Sequence, residues 1–82
     1  MIRVLLVSKE NCSLCDEAKV LLKNIQKNIS FEYVETILNE SHPKFFEYQF
    51  AVPLVFIGDE EVCRFKADEN IIKYKLLQLV KK

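Results

Sequence analysis

Cys12-Ser13-Leu14-Cys15 is the stretch that decides how the rest of this 82-residue chain is read. Before it runs Ile2-Arg3-Val4-Leu5-Leu6-Val7, an apolar segment without clean alternation. Such a run reads as a strand buried on both faces, in the middle of a parallel or mixed sheet. Ser8 to Asn11 form a turn. After the dithiol, Leu14, Ala18, Leu21, Leu22 and Ile25 recur at three- and four-residue steps, with Asp16, Glu17, Lys19, Lys23 and Lys27 on the other side. A helix is therefore expected from Leu14 to about Gln26, with acid in its first turn, base in its last, and a stop near Asn28. The two thiols fall at a strand-to-helix corner. A sulfur in the first turn of a helix faces unpaired backbone N–H groups and the positive end of the helix dipole, and both favour the thiolate. Cys12 is thereby the expected nucleophile. Cys15, three residues along the same face, is positioned to attack a mixed disulfide formed on Cys12 and release the product.

Working outward, Phe31 to Ile37 is rich in aromatic and β-branched residues and reads as a second strand. A helix separates it from the first strand, so the two are expected to be parallel and joined by a crossover. Ser41-His42-Pro43 looks like a helix start leading into Lys44 to Phe50. Val52 to Ile57 is a third strand opening with proline, Gly58-Asp59 a tight turn, and Glu61 to Phe65 a fourth strand that completes a hairpin. The chain has one glycine, and a turn position needing positive φ explains it. Asp68 can cap a final helix carrying Ile71, Ile72, Leu76, Leu79 and Val80 and ending in Lys81-Lys82. No linker, repeat or low-complexity segment interrupts this order, so residues 1–82 form one α/β domain.

Composition narrows the function classes. Half of the residues are hydrophobic, ample for a core in a chain near the lower size limit for folding on apolar burial alone. Twelve basic and twelve acidic residues are scattered to a net charge of zero, which gives a polyanion nothing to bind, so no nucleic-acid partner is expected. The apolar run Val4 to Val7 is too short for a signal-peptide core or a membrane span. A cytoplasmic monomer with no membrane partner is the expectation. In a reducing compartment, two thiols two residues apart are catalytic, redox-active or metal-binding more often than structural.

The order strand, helix, strand, helix, strand, strand, helix, with a dithiol at the first corner, resembles the thioredoxin fold in its minimal form. The particular residues resemble a glutaredoxin-like protein: Cys12-Ser13-Leu14-Cys15 after the first strand, Ala51-Val52-Pro53 before the third, and Val55-Phe56-Ile57-Gly58-Asp59 at the hairpin. The resemblance spans nearly the whole chain. It implies a thioredoxin-like βαβαββα fold, a four-stranded mixed sheet flanked by helices. It also implies a cis Pro53 beside the dithiol and a Val52 backbone that pairs with an extended substrate. The implied activity is thiol–disulfide exchange on a disulfide-containing protein or a glutathione-mixed disulfide, with no bound cofactor and glutathione as a candidate co-substrate. Two departures matter. Glutaredoxins typically carry Cys-Pro-Tyr-Cys where this chain has Ser13-Leu14 in the middle, and a Gly-Gly pair followed by an acidic residue where it has Cys63-Arg64-Phe65-Lys66-Ala67-Asp68. Without that glycine pair, close approach of a tripeptide backbone is disfavoured. Lys9 near Cys12, Arg64 or Lys66 for a carboxylate, and Asp68 for an amine remain binding candidates beside their ordinary roles as solvated charges or a helix cap.

The remaining residues have bland and sharp readings. Cys63 alternates with charged neighbours and reads as a small apolar residue buried in the fourth strand, with a regulatory or dimer-forming thiol as the alternative. His42 with Cys12, Cys15 and Cys63 would make a Cys₃His zinc set, but such sites usually offer a second closely spaced ligand pair, so no metal site is expected. Phe45, Phe46, Tyr48 and Phe50 suit a core or hydrophobic rim, with a substrate-facing platform as the alternative. Two other functions keep the same fold: a non-catalytic module that holds a metal or iron–sulfur cluster between subunits, and a redox switch without turnover.

Overall fold

The computed structural model describes residues 1–80. The chain runs β1 (Arg3–Ser8), α1 (Ser13–Gln26), β2 (Glu32–Ile37), α2 (Phe45–Tyr48), β3 (Leu54–Ile57), β4 (Glu60–Cys63) and α3 (Glu69–Val80). This is the βαβαββα order expected from the sequence; the Lys81-Lys82 end lies outside the described residues. The four strands make one mixed sheet in the order β2-β1-β3-β4. β1 pairs with β2 in parallel across the α1 crossover and with β3 antiparallel, and β3 pairs with β4 antiparallel. No described helix is long and apolar enough to cross a membrane.

β1 is an inner strand, which is why its apolar run lacks alternation. Val4 and Leu6 point into a core with Ala18, Leu22 and Ile25 of α1 and Ile72 and Leu76 of α3. Val7 and Leu5 point the other way, into a smaller cluster with Leu38, Ala51, Leu54, Phe45, Tyr48 and Phe56. One face of the sheet thus carries two long helices, and the other carries only the single turn α2. The β3–β4 hairpin closes through Gly58 at φ +63, with Ile57 opposite Glu60. A two-residue loop with glycine in the first central position is one of the turns that matches strand twist. A Cβ at Gly58 would meet nothing within 4 Å, so conformation, not space, demands glycine there.

The larger departures from the sequence pattern have local reasons. α2 is only Phe45–Tyr48, because Asn39 and His42 fold the preceding residues into turns. Asn39 Oδ1 accepts the Ser41 N–H at 2.8 Å, and His42 Nδ1 accepts the Lys44 N–H at 3.0 Å. β3 begins at Leu54, since Pro53 has no N–H to give a ladder. β4 ends at Cys63, because Phe65 leaves the extended region for φ +72. β4 also carries a bulge: Val55 faces Cys63 while Phe56 faces Glu61.

Candidate functional site

The dithiol owes its geometry to the start of α1. Asn11 at φ +56, a conformation that asparagine tolerates better than most residues, swings the chain out of the sheet. Cys12 then takes the N-cap position with extended backbone (φ −120, ψ 106), and its Sγ accepts the Cys15 N–H at 3.2 Å. Its carbonyl accepts the Asp16 N–H at 3.1 Å. A sulfur that already receives one of the orphan helix-start amides is better solvated as an anion than as a neutral thiol. Cys12 is half-buried, whereas Cys15 is only 2 % exposed. The two are paired as a disulfide, with Cα atoms 5.2 Å apart. One sulfur can be approached from solvent and the other lies behind it.

Sheet register brings the second part of the site to the same end. Val7 lies opposite Leu54, so the loop after β1 and the residues just before β3 leave the sheet side by side. Val52-Pro53 is a cis peptide bond, as the resemblance implies. Pro53 is buried and Val52 half-buried, and the Val52 backbone makes no hydrogen bond among the described residues. An unpaired N–H and C=O on a half-exposed segment can accept a strand partner. Lys9, in the β1–α1 loop, donates from Nζ to the Gln49 carbonyl at 3.4 Å and so ties the two loops together.

The loop after β4 forms the third side. The Phe65 N–H donates to the Ala51 carbonyl at 2.8 Å, holding this loop against the segment that leads to Pro53. Phe65 has positive φ, in the same stretch where glutaredoxins typically carry their glycine pair. Nothing in a phenylalanine advertises that conformation; the missing glycines were the only available hint. Arg64 makes a two-point pair with Glu61, at 3.0 and 2.9 Å. That pairing holds the guanidinium above its ordinary value and the carboxyl below its own. Asp68 Oδ1 accepts the Ile71 N–H at 3.1 Å, which makes it the cap of α3 foreseen from the sequence. Its own N–H donates to Cys63 Sγ at 3.4 Å. Cys63 is 6 % exposed, and burial pushes its thiol up, partly opposed by that amide. Cys63 is therefore the buried strand residue that its alternation suggests. His42 lies on the α2 side of the sheet, in a hollow with Leu5 and Phe56. Among the described residues, no three His, Cys, Asp or Glu side chains gather as a metal-binding group.

No sequence pattern announces the polar cluster at the end of β1. Ser8, 3 % exposed, donates from Oγ to Glu35 at 2.9 Å, and Lys19 of α1 pairs with the same carboxylate at 3.2 Å. The wider hollows of the surface lie elsewhere: about 610 Å³ between α1 and α3, and about 430 Å³ on the α2 side. A small hollow of about 90 Å³, lined by Leu14, Ala18, Lys66 and Ala67 among others, reaches the Cys12–Cys15 stretch through Leu14. An exchange at an exposed sulfur needs no enclosing cavity, so position outweighs volume here.

The comparisons with known proteins fit this geometry. Residues 3–77 match the family described as glutaredoxin-like domain (DUF836). Among solved structures, protein Ne2328 from Nitrosomonas europaea is similar at 26 % identity and a TM-score of 0.78, over 92 % of this chain and 91 % of that one. A malarial protein is similar at 17 % identity and a TM-score of 0.68, covering 96 % of each chain. Glutaredoxin 1 from Francisella tularensis, solved with cacodylate, is similar at 20 % identity and a TM-score of 0.57 over the full length of both. At such identities the last two speak for the fold alone. No curated protein matches the sequence significantly.

Proposed function

This chain belongs to the glutaredoxin-like domain family, and from that premise we propose that it is a thiol–disulfide oxidoreductase. The Cys12 thiolate attacks one sulfur of a substrate disulfide; the substrate S–S bond breaks and one thiolate leaves. The Cys15 thiolate then attacks Cys12 Sγ, the Cys12–Cys15 disulfide forms, and the second substrate sulfur is released. Two electrons pass to the substrate, and the protons given up by the two cysteines end on the released thiols. Glutathione or a thioredoxin-type reductase restores the dithiol. The substrate is a disulfide-containing protein or a glutathione-mixed disulfide. In this reading Val52 offers its backbone to the extended substrate, the Pro53 turn holds Val52 in place, and Lys9 and Asp68 supply charges at the rim. Both sulfurs come from one chain, so a monomer suffices, and no bound cofactor is needed. A reducing cytoplasmic setting suits the cycle.

The observation that carries the reading is the cap: Cys12 Sγ receives the Cys15 amide while remaining half-exposed, with Cys15 sealed behind it. Insulin reduction and a glutathione-linked disulfide assay on wild type and Cys12→Ser test it. Serine is itself a good N-cap, so the variant is expected to fold and to lose turnover in both assays. Equal activity of the two proteins would refute the proposal. The Cys12–Cys15 reduction potential in glutathione buffer is expected at roughly −200 to −270 mV, the range of glutaredoxins and thioredoxin. A wild type that forms and breaks the Cys12–Cys15 disulfide in that buffer but shows no turnover in either assay would indicate a switch instead.

A further inference from the structure

The dithiol is bordered by apolar side chains that the fold leaves uncovered. Leu14, inside the Cys-x-x-Cys stretch, is 44 % exposed, Phe50 is 82 % exposed and Phe65 is 56 % exposed. Far apart in sequence, they are brought to one end of the sheet. Phe65 is held to Ala51, the neighbour of Phe50, by its backbone N–H at 2.8 Å. Leu14 shares a depression with Lys66 and Ala67, the residues that follow Phe65. The three therefore form an arc that runs from α1 through the β4–α3 loop to the segment before Pro53.

Phe65 is the telling member. At φ +72 it occupies a region that is costly for a bulky residue and free for glycine. Bulky residues held in such conformations cluster at binding and active sites. Here the aromatic ring is presented to solvent, so core packing does not explain it. Of the charges that a small zwitterionic peptide such as glutathione would need, the Arg64 guanidinium is already paired with Glu61, while Lys9 and Asp68 each hold one neutral backbone partner, the Gln49 carbonyl and the Ile71 amide. Lys66 makes no ion pair among the described residues, and it stands between Phe65 in sequence and Leu14 across the depression.

We propose that the preferred substrate is a disulfide within an extended polypeptide segment that carries apolar side chains beside its cysteine and an acidic residue within reach of Lys66. Leu14, Phe50 and Phe65 are the specificity-determining contacts. The proposal rests on the oxidoreductase reading and adds the substrate class to it. An apolar segment buries its side chains against the arc as its disulfide meets Cys12, while glutathione offers no apolar side chain and finds Arg64 engaged by Glu61.

Single-turnover exchange of the reduced protein tests this with three probes: oxidised glutathione and two disulfide-linked acidic pentapeptides, identical except for Leu or Ser on either side of the cysteine. The Leu peptide is expected to react about tenfold faster than the other two, as burial of one or two apolar side chains allows. Phe65→Gly, which suits the local φ, and Phe50→Ser are each expected to lower the Leu-peptide to glutathione rate ratio about three- to tenfold, the size of one aromatic contact. Lys66→Glu should slow the Leu peptide several-fold, since it sets a like charge opposite the peptide's acidic residue. Equal rates for the Leu and Ser peptides, or a ratio unmoved by Phe65→Gly, would overturn the inference while leaving the oxidoreductase reading intact. If no disulfide reacts, that reading fails, and an amide chemical-shift titration with the S-methylated Leu peptide decides the surface by itself. Shifts gathered at Leu14, Phe50 and Phe65 would sustain it, and their absence would overturn it.

Discussion

Tyr33, on β2, packs its ring against the larger core, with the Lys23 ammonium 4.4 Å from the ring centroid, and buries its hydroxyl without a partner among the described residues. A buried hydroxyl left unpaired costs about 1–3 kcal/mol, so Tyr33→Phe is expected to match or exceed wild-type stability in urea unfolding at pH 7. Burial, with the Glu35 charge adding to it, pushes the phenol up to about 12 from the ordinary 10.0. The folded chain keeps this proton where the unfolded chain loses it, so the contribution is intact below pH 10 and is lost as pH rises from 10 toward 12. Wild type should therefore lose stability faster than Tyr33→Phe across that window, and parallel curves would contradict the assignment. At this scale, what the sequence made legible was what is decided locally. The capping position of Cys12 follows from its place before a helical pattern, and the burial of Cys63 follows from alternation. Phe65 was illegible because its backbone is set by a hydrogen bond to Ala51, a partner that no local pattern announces.

Beyond the β1–β2 ladder, one half-buried carboxylate ties both elements that carry the dithiol, β1 and α1, to β2. Glu35 accepts from Ser8 at the end of β1 and pairs with Lys19 one turn beyond Cys15. Glu35→Ala is expected to leave the Ser8 hydroxyl buried and unpaired, costing about 1–3 kcal/mol by denaturant titration, whereas Glu35→Gln, which can still accept, should recover much of the loss. The existence and order of the strands and long helices were readable because hydrophobic period alone specifies them: α1 at three- and four-residue steps, β1 as an unbroken inner strand. Element ends were not. Ser8 reads as turn but completes β1 because a charged residue on the neighbouring strand accepts its hydroxyl. α2 shrank to Phe45–Tyr48 because the Asn39 and His42 side chains satisfy nearby amides in turns, a competition between side chain and backbone that apolar spacing does not register.

Across the whole molecule the sheet is unevenly clothed: α1 and α3 bury one face, and a single helical turn covers part of the other. In native-state deuterium exchange, β1, α1 and the sheet-facing half of α3 are expected to open only with global unfolding, while residues 39–50 exchange through a cheaper, partial opening. Uniform protection over both faces would contradict this. The two banks of the dithiol differ accordingly. Cys12 and Cys15 are bolted to the better-packed layer, whereas Val52 is moored to the thinner one, through Ala51, whose amide donates to the Tyr48 carbonyl at 2.9 Å. Under the proposed function, so lopsided a wrapping would let the gap between Cys12 and the Val52 segment widen, admit a bulky guest and let it go, without loosening the helix that Cys12 caps.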